Sequence, residues 1–193
     1  MRVTDERYDK DRYRQELALR LVGHDARTQT VRRWTGLSDD RVRKLIRDYI
    51  RHDSGLQRHR GKSPQQVNYF LRNEHTLAHA HALAALFVLF GAYQPGATRV
   101  RTPSLRRGVL LCDAFECYQR VLPSPCIDLE HADFLLQVLQ RGDEIQLCWC
   151  PSCESLNLTE YIRLRSGPCR VCGASLPSPW SPAARMRRTS HPP

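Results

Sequence analysis

A chain of 193 residues with 41% hydrophobic content can bury a real core, which excludes disorder throughout. Thirty Lys and Arg against twenty Asp and Glu leave a formal charge of +10, so the surface attracts polyanions: nucleic acid first, an anionic membrane face second, acidic proteins third. The opening MRVTDERYDKDRYRQE mixes acids and bases and has no apolar segment, which predicts neither a secretion signal nor a transit peptide; the expected compartment is the cytoplasm.

An amphipathic helix is predicted over residues 13–22, with Tyr13, Leu17 and Leu21 four apart and Gly23 as its stop. A short second helix over 28–35 carries Val31 and Trp34 on one side. Gly36-Leu37-Ser38 reads as a turn. Ser38 is a good N-cap, and Asp39 and Asp40 follow in the first helical turn, where the helix dipole favours negative charge. The third helix has Val42, Leu45, Ile46, Tyr49 and Ile50 as one apolar stripe, with Arg43, Arg47 and Arg51 four apart on the opposite face and Lys44 beside them.

From Arg27 to Lys62 there are eleven Lys and Arg against four Asp, a surplus of seven and most of the chain's charge. A helix, a glycine turn and a second helix with this charge predict a helix-turn-helix whose second helix enters a major groove. Arg41, Arg43, Lys44, Arg47 and Arg51 are the candidate DNA contacts; Arg is the side chain that pairs bidentately with guanine.

Ser63-Pro64-Gln65-Gln66 is a capping box, expected to open one long helix to about Gly91. Its apolar run AHALAALFVLFGAY falls short of the roughly 20 residues of a membrane span, so no membrane partner is expected. Further helices are predicted from Thr102-Pro103 to about Val121 and from an Asp128 cap to Gly142. His75 and His79 have the i, i+4 spacing of a metal hydrolase, but Thr76 stands where that motif needs Glu. With His81 on the apolar stripe, packing is the simpler account, and no catalytic residue is expected. Cys112, Cys117 and Cys126 read as small core residues.

After Gly142 the short pieces EIQL, LNL and YIRL suggest β-hairpins between two cysteine pairs. The spacing C-x2-C-x15-C-x2-C is a zinc pattern: each two-residue turn lets two thiolates reach one ion, and two such turns complete a tetrahedron. A redox pair, two disulfides or an iron–sulfur cluster would use other settings or spacings. Cys150, Cys153, Cys169 and Cys172 are therefore the expected ligands of one structural Zn2+ per chain, with Cys148 as a possible competitor. The predicted organisation is mainly α. Residues 1–142 form a helical DNA-binding and partner-binding domain, 143–175 a small zinc-ribbon-like module, and 176–193 a basic, Pro-rich disordered tail.

This order of parts resembles the FlhC family of bacterial flagellar transcriptional activator subunits. The resemblance is carried by LSDDRVRKLIRDYIRHDSG, GKSPQQVNYF, ADFLLQVLQRG, the EIQL lead-in, and CPSC with CRVC, over about residues 17–172. It implies a largely helical protein whose zinc ligands fall on the same four cysteines. It also implies assembly with an FlhD-like subunit into a heterohexamer, binding to double-stranded promoter DNA of flagellar or motility genes, and recruitment of RNA polymerase. The alternative reading of the composition is a zinc-containing interaction adaptor whose basic face meets an acidic partner.

Overall fold

A computed structural model describes residues 5–52, 63–95, 102–161 and 167–177, with side chains in the first stretch described for 8–48. Among these residues the chain is mainly helical, as the sequence predicts. Seven helices, α1 (Asp5–Gly23), α2 (Thr28–Thr35), α3 (Asp39–His52), α4 (Asn68–Leu71), α5 (Glu74–Leu89), α6 (Leu105–Val121) and α7 (Leu129–Arg141), precede an antiparallel hairpin of β1 (Ile145–Trp149) and β2 (Leu156–Glu160). No helix among the described residues is long and apolar enough to cross a membrane.

α1 begins eight residues earlier than the apolar pattern predicts. Its charged first half is knitted by the i, i+3 and i, i+4 ion pairs Arg12–Asp9, Arg14–Asp11 and Arg12–Glu16, which support a helix without apolar residues. The buried face is Leu17, Ala18, Leu21 and Val22; Tyr13, expected on that face, is 56% exposed. α2 ends at Gly36, whose φ of 69° closes the helix through its N–H on the Arg32 carbonyl. Ser38 then accepts on its backbone oxygen from Val42 N–H as α3 begins.

The predicted long helix from Ser63 is instead two. Residues 63–66 are not helical, α4 is one turn, and Asn73 interrupts the chain with an extended backbone at φ −153°. The Asn73 side chain accepts from Thr76 N–H at 2.7 Å and caps α5, with Glu74 in the first turn. α6 and α7 start on the caps Ser104 and Asp128, and α7 stops at Gly142.

The core gathers Phe70, Phe87, Phe115 and Tyr118 with Leu135, Leu136 and Leu139 of α7, all buried. Ile145 of β1 and Leu158 of β2 belong to this same cluster, so the hairpin is built onto α5 and α7 and not hung from them. The α2–α3 pair is moored on α7. Trp34 Nε1 donates to buried Asp133 at 3.0 Å, Arg33 pairs with the same carboxylate, and Glu130 accepts from Arg27 N–H at 2.8 Å. On the other side Arg20 of α1 donates to Glu116 at 2.6 and 2.8 Å and to Asp113 at 2.5 Å, holding α1 against α6.

Candidate metal centre and nucleic-acid interface

Two knuckles with the same backbone pattern present the four cysteines. In the first, Cys150 O accepts from Glu154 N–H at 3.0 Å and Cys150 N–H donates to Ser155 O at 2.9 Å; in the second, Cys169 O accepts from Gly173 N–H at 2.8 Å and Cys169 N–H donates to Ala174 O at 2.7 Å. The residue after each second cysteine is left-handed, Glu154 at φ 57° and Gly173 at φ 75°. The glycine is the expected choice at such a position; Glu154 occupies the equivalent place in the first knuckle at the cost a side chain carries there.

The four sulfurs lie within 4.8 Å of one another, with Cys150–Cys172 and Cys153–Cys169 each at 3.6 Å. A disulfide would need about 2.05 Å, whereas the edge of a tetrahedron with metal–sulfur bonds of about 2.3 Å is roughly 3.8 Å. All eight cysteines are free. The donor set and its spacing thus fit a metal ion held by four thiolates, and the cluster could hold one.

Groups that the cysteine spacing does not announce surround the sulfurs. The Ser155 hydroxyl lies 3.1 Å from Cys153 Sγ and 3.2 Å from Cys169 Sγ, and Val171 N–H donates to Cys169 Sγ at 3.4 Å. Asn157, 1% exposed, donates through Nδ2 to Cys169 Sγ at 3.5 Å and to Ser155 O at 3.0 Å, and accepts from Arg170 N–H on Oδ1 at 3.1 Å. One buried amide therefore ties the two knuckles together. The Ser155 hydroxyl and the backbone N–H of Cys172 pull the Cys169 thiol down to about 5. Cys172 moves the other way: the Ala174 amide favours its thiolate, but Cys153, burial and Cys150 push it up to about 12. Four crowded sulfurs do not all ionise together without a cation among them.

Cys148, the predicted competitor, is not in this group. It pairs with Asn157 in the ladder, and burial pushes its thiol up to about 11. Leu176, placed in the tail by the sequence, is buried against Cys150 and Cys169, with its N–H 3.4 Å from Gly167 O. The tail from residue 178 on and most of YIRL lie outside the described residues.

His81, on α5, accepts from Leu158 N–H at 2.8 Å, and Arg170 pairs with Glu74 at 2.5 Å, so α5 meets both the hairpin and the second knuckle. Burial, with Arg170 nearby, lowers the His81 ring to about 4, which keeps it neutral and able to accept.

The cations of α2 and α3 divide into two groups. Arg27, Arg32 and Arg33 are engaged internally, with Glu130, Asp39 and Asp133 respectively. Arg41, Arg43, Lys44 and Arg47 are exposed and make no ion pair with the described residues. Val42 is fully buried and Leu45 and Ile46 pack against the core, so α3 turns its cationic face outward. The side chains of Arg51, Tyr49 and Ile50 lie outside the described residues, as do Arg58, Arg60 and Lys62.

The chain matches no protein-family model, and no curated protein matches it.

Proposed function

We propose that the chain is a DNA-binding transcriptional activator subunit similar to FlhC, acting in the cytoplasm with an FlhD-like partner to bind promoter DNA of flagellar or motility genes and recruit RNA polymerase. The observation that carries this reading is the outward row of Arg41, Arg43, Lys44 and Arg47 on the second helix of a helix-turn-helix pair in which Arg27, Arg32 and Arg33 are already engaged in ion pairs. Unpaired arginines on a rigidly moored helix suit phosphate and groove contacts, because neither the charge nor the position must be recovered on binding.

The ion proposed for Cys150, Cys153, Cys169 and Cys172 is zinc. A centre of four thiolates has no open coordination position, so its part is structural. When bound, Zn2+ supplies the charge that lets the four sulfurs ionise side by side. Asn157 and Ser155 hold Cys169 in place, and the two left-handed residues close the knuckles.

Binding to promoter duplexes from motility genes tests the reading. The affinity of the full chain, with its partner, is expected to fall steeply as salt rises and to exceed that for competitor DNA. Arg47→Ala is expected to weaken binding several-fold and to flatten the salt slope by about one if the contact is to phosphate, with helical content unchanged. Binding without sequence preference, or an affinity that Arg47→Ala leaves untouched, favours the adaptor reading with an acidic partner.

A further inference from the structure

A second cluster of metal-binding side chains shares no residue with the four cysteines. One ring nitrogen each of His75 and His79 and the sulfur of Cys126 lie within 4.8 Å of one another. The histidines are i, i+4 on α5 and so share a face, with ring centroids 4.4 Å apart; Cys126 comes from the connector between α6 and α7.

The surroundings of this trio are built. His79 is buried, and its Nδ1 lies 2.7 Å from the Tyr118 hydroxyl, a contact that fixes the plane of the ring. That hydroxyl accepts from Cys126 N–H at 3.1 Å and Ile127 N–H at 3.2 Å, and Cys126 O accepts from the Tyr69 hydroxyl at 2.9 Å. Cys126 is thus pinned at both ends of its peptide by two tyrosines, and Tyr118 orients both the histidine and the cysteine. His75, by contrast, is exposed, with its ring against that of His79.

We propose that His75, His79 and Cys126 form a second metal site, open on one side, for a borderline divalent transition metal such as Zn2+, Co2+ or Ni2+. Two imidazoles and a thiolate are the donors such ions prefer over Mg2+ or Ca2+. Ligand-to-ligand edges around such an ion are roughly 3.3–3.6 Å, so any donor pair that stands nearer the 4.8 Å bound must close in, which a change of rotamer at the exposed His75 can supply. Binding releases the thiol proton of Cys126 to solvent, and the fourth position is left to water or an exogenous ligand. Three donors with one exposed partner make a site that exchanges its ion, unlike a closed centre of four cysteines. The ion would bridge α5 to the α6–α7 connector.

The experiment uses the full chain, zinc-saturated and then freed of loosely bound metal by gel filtration, with Zn2+ titrated against a chromophoric chelator. Wild type is expected to take up one equivalent more than His75→Ala and one more than Cys126→Ser. Because the readout is a difference, it does not depend on whether the four-cysteine cluster is filled. Repeating it with Co2+ is expected to add ligand-field absorption of a mixed nitrogen and sulfur site that both variants lack. His75 is exposed, so His75→Ala keeps the fold, and circular dichroism checks Cys126→Ser. Equal uptake by wild type and His75→Ala overturns the proposal, as does a Co2+ spectrum identical in all three proteins.

Discussion

Asp133 stands among the leucines of α7 at 2% exposure, and its carboxylate is shared by Trp34 Nε1 and the Arg33 guanidinium. A buried charge of this kind is costly alone and stable only while its partners stay. Asp133→Ala strands a buried guanidinium and an indole N–H together and is expected to cost roughly 3–5 kcal/mol in urea unfolding; Asp133→Asn, which can still accept from the indole, is expected to cost less. His81 gives a pH signature. Its folded ring titrates near 4 against an ordinary value of 6.5, because burial and nearby Arg170 disfavour the charged form. The unfolded chain therefore binds more protons between those values. Stability is full above pH 6.5 and falls as pH drops toward 4, by up to roughly 3 kcal/mol from this residue. Urea midpoints from pH 7 to 4 are expected to slope less in His81→Asn than in wild type, metal loss being common to both chains.

At the scale of elements, the crossing of α6 with α1 and α2 rests on Gly108. A Cβ built there would lie 2.7 Å from Leu17 Cδ2 and 3.2 Å from Trp34 Cβ. Leu17 can rotate away, but Trp34 is fixed by Asp133. Gly108→Ala is expected to wedge the helices apart at a cost of about 1–3 kcal/mol in thermal or urea unfolding. Element ends that depend on local chemistry were legible: α2 and α7 stop at Gly36 and Gly142, and Asp128 caps α7, whereas α6 opens on Ser104, two residues after the predicted Thr102. Ser63 reads as the opening of one long helix, a reading that does not weigh Asn73, which caps α5 ten residues later. Tertiary packing decided between them: Phe70 is fully buried and Tyr69 reaches Cys126 O, which holds α4 apart from α5. The cysteine spacing named the four sulfurs, since a two-residue turn is a local geometry. It could not name Ser155 and Asn157, whose reach to Cys169 depends on strand register. Trp34 and Asp133 are 99 residues apart, a contact to which no periodicity in one sequence points.

Across the whole molecule, the hairpin that follows the helices has no core of its own. Ile145 and Leu158 pack with the aromatic residues of the body, while the separate cluster around Cys150, Cys169 and Leu176 is small. Removing the ion proposed for the knuckles should therefore loosen the body as well. Calorimetry of the chain with and without a strong chelator is expected to show one transition, shifted down by roughly 5 °C or more; two separable transitions would show that the knuckles melt independently. The thirteen residues of α7 carry more than packing, because Glu130 and Asp133 grip the cationic pair while the same helix abuts β1. Sulfur cluster and charged ridge are thus lashed to one beam. Linkage is reciprocal, so nucleic acid seated on the cationic face as proposed should, by stiffening that beam, also raise the affinity of the sulfurs for the ion proposed at the other end.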